Sequence, residues 1–275
     1  MPCTPNAASQ DCSSEKSTMV KVVQATTRAE EYELRATYLK DDYQLSGDGP
    51  AATEFRINKV LRLVPFESGD RVLDISPGKG LLFEKIHQRV QECHGHDVAP
   101  AMVERVRKKF AGYPNVSFTC GPSSSLPYPD AYFDRVLMTG AFCLQETNDE
   151  CMQTLAEIRR VAKPTATIFI SDIAVVDESK LQPERVALVK RLARRLRQDG
   201  LIGFGGSLFR FVWQKVRQFL NLEPVLIPSD RGIWFHDATF VQMCRANRLD
   251  ARGFPTEEIT GTSRSRYDYL ITPIE

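Results

Sequence analysis

The residues best suited to chemistry are Asp74, Asp97 and the turn Ser76-Pro77-Gly78-Lys79-Gly80 between them. Asp74 sits in the short apolar run Arg71-Val-Leu-Asp-Ile75, and after the turn Leu81, Leu82, Ile86 and Val90 recur at helical spacing. A strand, a glycine turn and a helix N-terminus in that order let backbone amides approach a ligand with no side chains in the way. Asp97 follows Gly78 by nineteen residues, where the end of the next strand is expected. A carboxylate at that place accepts both hydroxyl protons of a ribose. The two features together point to a ligand that contains a nucleoside.

Other uses of the turn fit less well. The first glycine of a phosphate-binding P-loop would fall at Leu73, and its hydroxyl residue at Gly80. A dinucleotide fingerprint needs three glycines, whereas Gly78 and Gly80 supply two, with Ser76 and Pro77 in the other slots. That disfavours a nicotinamide oxidoreductase. His94 and His96 flank a glycine just before Asp97, but no second Asp-His pair follows downstream, so no metal site is assigned.

The elements that must position these residues form an α/β series. Strands are expected at 71–75, 92–97, 116–120, 133–138 and 166–173, with helices to about Val90, from Pro100 to Phe110 and from about Asp149 to Val161. The stretch 92–97, Glu-Cys-His-Gly-His-Asp, is far more polar than a central parallel strand usually is, and its placement rests on context. After residue 173 the alternation breaks. Residues 174–235 are expected to form a helical lid insertion, followed by a helix from near Asp237 and two last strands near 249–259 and 267–272. The fold class is therefore α/β, a Rossmann-like, seven-stranded, mostly parallel sheet with helices on both faces and the helical lid.

With 275 residues, 42% of them hydrophobic, the chain has ample core for one such domain, expected over residues 30–275. Residues 1–29, rich in Ser, Thr and Ala, read as a flexible N-terminal tail. A formal net charge of +1 gives no global reason to expect nucleic acid. The N-terminus lacks the apolar core of a secretion signal and no run is long enough to span a bilayer, so a cytoplasmic location is expected. Seven scattered cysteines without a Cys-x-x-Cys pair indicate free thiols rather than a disulfide framework.

Four segments together resemble the class I S-adenosylmethionine-dependent methyltransferases, in particular the small-molecule, type 11-like group. They are VLDISPGKG at 72–80, HDVAPAMVERVRKK at 96–109, SSLPYPDAYFDRV at 124–136 and LAEIRRVAKPTATIFISDI at 155–173. The resemblance implies S-adenosyl-L-methionine as cofactor. Asp74 and the backbone of Ser76, Gly78 and Gly80 would hold its methionine part, and Asp97 its ribose. Val98 and Met102 would line the adenine, Gly121, Pro122, Ser123 and Ser124 would edge it, and Thr139 and Gly140 would close the end of the fourth strand. The family usually has glycine where this chain has Ser76 and an acid where it has Pro122. Those departures motivate an alternative reading, a non-catalytic binding or regulatory protein with a drifted cofactor loop. Tyr38 and Tyr43 resemble aromatics of an N-terminal cover.

The implied activity is in-line transfer of a methyl group to a small, apolar or amphipathic acceptor enclosed by the lid. His236, where the lid returns to the core, is the candidate acceptor base, although a position just outside the helix N-cap at Asp237 explains it as well. Residues 183–217 carry nine Lys or Arg against two acids. Together with apolar stripes such as Val186, Val189, Ala193 and Leu196, this reads as a basic face over a hydrophobic pocket, with membrane-surface or lipid contact as a further use. Nucleic acid is not expected as a partner.

Overall fold

The computed structural model describes residues 22–38, 50–175, 225–227, 233–256 and 265–274. In chain order these form β1 (Val22–Gln24), α1 (Arg28–Tyr38), α2 (Pro50–Leu63), β2 (Arg71–Ile75), α3 (Leu81–Ile86), β3 (Glu92–Asp97), α4 (Pro100–Lys109), β4 (Val116–Cys120) and β5 (Phe133–Thr139). A short 3-10 turn at Phe142–Leu144, α5 (Asn148–Val161), β6 (Ala162–Val175), β7 (Val225–Ile227), α6 (Asp237–Ala246), β8 (Leu249–Pro255) and β9 (Ser265–Pro273) complete them.

Seven strands make one sheet in the order β4-β3-β2-β5-β6-β9-β8. The first five run parallel, and β9 is antiparallel to both β6 and β8. The final antiparallel pair expected at the edge is thus present, with β9 as its inner member. The chain reverses its direction of progress across the sheet between β2 and β5, and in open α/β sheets ligands bind in the crevice beyond the carboxyl ends of the strands at such a point.

Alternation along the strands divides the core. Leu73, Ile75, Val136, Met138, Ile168 and Ile170 pack on one face with Leu155, Ile158 and Val161 of α5. Val72, Leu137 and Phe169 pack on the other with Val60 of α2, Val64 just after that helix, Phe83 of α3 and Val106 of α4. Helix α5 is well specified locally. The Thr147 side chain accepts from the Glu150 amide, Asp149 and Glu150 lie in the first turn, and Arg159 and Arg160 in the last.

The polar strand β3 lies inside the sheet because its side chains are matched. His94 Nε2 is 2.8 Å from Glu92 Oε2 and its Nδ1 is 2.9 Å from Ser117 Oγ. Gly95 leaves room for the Phe118 ring, which a Cβ there would meet at 2.4 Å.

Within the span read as a tail, residues 22–29 hold strand β1 and the start of α1. β1 pairs in parallel with β7, a strand inside the span expected to form the lid. The basic stretch 183–217 and the remaining helical part of that expectation lie outside the described residues. Among the described residues no helix is long and apolar enough to cross a membrane.

Candidate functional site

Asp74 and Asp97 come together at the carboxyl ends of β2 and β3, strands paired so that Asp74 faces Gly95 and Ile75 faces His96. Asp74 is 3% exposed. Its Oδ1 has no hydrogen-bond partner, a costly state for a buried carboxyl. Burial first, and the charge of Asp97 second, push this carboxyl up to about 8. Asp97 is also buried, and that burial raises it to about 6, opposed by the amides of Ala99 and Val98. Asp97 Oδ1 accepts from the Ala99 amide at 3.0 Å. Two adjoining carboxyls, one with an unsatisfied oxygen, make a place that a ligand carrying hydroxyl donors and positive charge would complete.

The turn beside them has the backbone of an open cradle. Ser76, Gly78 and Gly80 all have left-handed φ, at 62°, 53° and 65°. Ser76 donates its amide to the His96 carbonyl at 2.7 Å, which ties the turn to the end of β3. A Cβ on Gly78 would meet nothing within 4 Å, whereas one on Gly80 would stand 2.7 Å from Phe110 Cε2. Gly78 therefore faces open space and Gly80 faces packed core.

Val98 is 39% exposed just past β3, while Met102 is buried on α4 against Ala36 and Tyr32 of α1. The Pro122 carbonyl accepts from His96 Nε2 at 3.2 Å. His96 Nδ1 in turn receives the Thr119 hydroxyl at 2.8 Å, and Tyr128 stands 2.7 Å beyond that. Burial lowers the His96 pKa, which keeps the ring neutral as this chain of bonds requires. Ser123 pairs with Thr154 of α5 at 3.0 Å, and Ser124 lies half-buried beside it. Thr139 ends β5 opposite Ser171, and Gly140 follows at φ 73°.

His236 is exposed and occupies the N-cap position of α6 without a side-chain capping bond, so Asp237 is the first helical residue and not the cap. The preceding Phe235 donates its amide to Ala174 near the end of β6, which sets His236 just beyond that strand. Asp237 is engaged by the Tyr269 hydroxyl at 2.6 Å.

The resemblance pointed to an N-terminal cover through Tyr38 and Tyr43, but sequence reasoning did not find the contacts by which α1 makes one. The Arg28 amide donates to Glu146 after β5, and Glu33 accepts from the Ala101 amide at the start of α4. The helix thus reaches from the loop after β5 to the helix after β3, across the end of β2. Tyr32, partly buried and packed with Ala99 and Met102, belongs to this cover, while Tyr38 closes the helix and Tyr43 lies outside the described residues. Buried Gln145 Oε1 and Ser171 Oγ, near the ends of β5 and β6, also have no partner among the described residues. The only sequence cue for these was their place at strand ends.

Residues 72–165 match the family described as "Methyltransferase domain". The ubiquinone/menaquinone biosynthesis C-methyltransferase UbiE of Burkholderia mallei is 36% identical over 144 residues, covering 50% of this chain and 58% of that protein. The uncharacterized methyltransferase YcgJ of Bacillus subtilis is 36% identical over 105 residues, 37% of this chain and 40% of its own length. The chain thus spans less than two thirds of the length of these relatives. The solved structure of a SAM-dependent methyltransferase from Leishmania major has a TM-score of 0.60 at 11% identity, over 89% of this chain and 82% of that one, a likeness of fold. From the glycine turn through the start of β6, residues 72–165, this chain is thus similar to methyltransferase domains, a likeness that supports the class I, S-adenosylmethionine-dependent reading.

Proposed function

We propose that the chain binds S-adenosylmethionine at the carboxyl ends of β3, β2 and β5 and moves its methyl group to a small acceptor. The observation that carries this reading is the buried, unsatisfied Asp74 carboxyl beside Asp97 and under an open glycine turn. Asp97 would accept the ribose hydroxyls, and Asp74 with the backbone of Ser76, Gly78 and Gly80 would take the methionine part. Val98, Met102, Pro122, Ser123 and Ser124 would surround the base, and Thr139 would bound the reacting end.

When bound, the cofactor supplies a methyl group already activated by a sulfonium. The protein's share is orientation and exclusion of water. Holding the reacting atoms at roughly 3–3.5 Å contributes several kcal/mol. The cover formed by α1 serves both ends. A proton acceptor is needed only for an acceptor that reacts through an O–H or N–H, and His236 is the candidate for it.

A small, apolar or amphipathic acceptor fits the names of the relatives, one of which is a ubiquinone/menaquinone biosynthesis C-methyltransferase. The reading as a non-catalytic protein with a drifted loop rested on two departures, Ser76 in a glycine position and Pro122 in place of an acid. Ser76 holds φ 62°, the left-handed conformation for which glycine is otherwise used, so the first departure leaves the turn intact.

Titration calorimetry tests this directly. Wild type is expected to bind S-adenosylmethionine, and Asp97→Ala to bind it about 10- to 100-fold more weakly through loss of charge-assisted hydrogen bonds. No binding at millimolar cofactor, or an Asp97→Ala variant equal to wild type, removes the proposal. Formation of S-adenosylhomocysteine with a reduced naphthoquinone as acceptor probes the substrate class.

A further inference from the structure

Asp172 is a non-glycine residue at φ 63° within β6, at the register shift between Ile170 and Ile173 in the ladder with β9. Its backbone is held by side chains of β9. The Asp172 amide donates to Asp268 Oδ1 at 3.0 Å, and its carbonyl accepts from Arg266 Nη1 at 2.9 Å. Asp268 is fully buried and paired with buried Lys59 of α2 at 2.6 Å. The same Arg266 nitrogen lies 3.1 Å from Asp172 Oδ2.

These contacts fix where the carboxylate goes. Asp172 Oδ2 would stand 3.5 Å from a Cβ placed on Gly140, so it overhangs the turn that follows β5. The last pairing between β5 and β6 is Thr139 with Ser171, and Asp172 is the first residue beyond it, where the strands part. Its side chain keeps 21% of its exposure, enough to meet a ligand in the crevice. An unfavourable backbone conformation enforced by two long-range partners, Asp268 and Arg266, is a feature found where a side chain must be aimed.

We infer that Asp172 is a further carboxylate of the cofactor site, and that it makes the site prefer the positively charged methyl donor over its neutral demethylated product. The inference rests on the methyltransferase reading above. A ligand held by Asp97, the glycine turn and Thr139 follows the carboxyl ends of β3, β2 and β5, and the next strand end in the sheet is that of β6. A fixed carboxylate a few ångströms from a sulfonium attracts it and is indifferent to a thioether. Arg266 weakens that attraction. The preference assists turnover, because product loses one of its contacts at the moment the methyl leaves.

The test is calorimetric titration of the full chain with S-adenosylmethionine and with S-adenosylhomocysteine, for wild type, Asp172→Asn and Arg266→Gln. Asparagine tolerates the left-handed backbone, so the fold is retained while the charge goes. Asp172→Asn should bind the methyl donor about three- to tenfold more weakly, with the product changed by less than about twofold. Arg266→Gln should move the ratio of the two affinities the opposite way, and it decides alone if the first variant does not fold. An unchanged ratio overturns the inference and leaves the methyltransferase reading standing. Failure of wild type to bind either ligand at millimolar concentration overturns both.

Discussion

Asp74 lies beside Asp97, and burial first, with the charge of Asp97 second, raises its carboxyl to about 8. An acid raised in this way holds its proton more tightly folded than unfolded. Its contribution to stability is complete below pH 4 and is lost as pH climbs toward 8. Asp97, raised to about 6, adds to the same slope between pH 4 and 6. Asp74→Asn, which mimics the protonated acid, should therefore leave the ligand-free protein near wild-type stability at pH 4.5 and more stable at pH 8, by on the order of 3 kcal/mol. Urea denaturation across this range checks the slope. A wild type whose stability is flat from pH 5 to 8 would show that the two acids are solvated.

Ser76 gives a second expectation. Its φ of 62° is strained for serine, and its hydroxyl makes no hydrogen bond among the described residues. Replacement by glycine removes about 1 kcal/mol of strain and costs roughly 0.5–1 kcal/mol of unfolded-chain entropy. Ser76→Gly should match or exceed wild-type stability and preserve cofactor binding. A clear loss in either would assign the hydroxyl a contact that the backbone argument omits.

Gly78 and Gly80 share positive φ but differ in surroundings, and alanine should separate them. At Gly80 the new methyl would press on Phe110, which is buried against Phe83 and Phe118. Strain and overpacking together should cost about 2–4 kcal/mol. At Gly78 only the backbone strain applies, about 1–2 kcal/mol, and the methyl projects where a ligand would approach. Gly80→Ala should thus register mainly as a lower melting point and Gly78→Ala mainly as weaker cofactor binding. Equal effects on both readouts would contradict the division into core-facing and open positions.

The features legible in the sequence are those that short stretches decide for themselves. The run Arg71–Ile75, its turn and the periodic Leu81, Leu82 and Ile86 specify a strand, a bend and a helix with no reference to the rest of the chain. β3 was harder, because its histidines are acceptable only once Ser117 and Thr119 of β4 stand beside them. The bulge at Asp172 was not legible at all. It depends on Asp268, 96 residues away, which depends in turn on Lys59, 209 residues from it. The contacts of α1 were hidden for a related reason: a helical region from Glu30 to about residue 63 and a cover were expected, but the bonds to Glu146 and Ala101 that place the helix cannot be read from its own weakly apolar pattern.

The Lys59–Asp268 pair supplies the last expectation. Both side chains are almost fully buried, at 3% and 1% exposed, and Asp268 also receives the Asp172 amide. Lys59→Met leaves that carboxylate buried without its cation, so it should destabilise the protein by about 3–5 kcal/mol. Asp268→Asn keeps an oxygen for the Asp172 amide but strands the ammonium, with a loss of similar size. The double variant Lys59→Met with Asp268→Asn removes both charges and should recover part of the sum, which a double-mutant cycle in urea measures as coupling of about 1–3 kcal/mol. Because a buried pair is little screened, the coupling should persist when salt is raised from 0.1 to about 1 M. A coupling that vanishes with salt would place the pair in contact with water, and with it the anchor that fixes the backbone of Asp172.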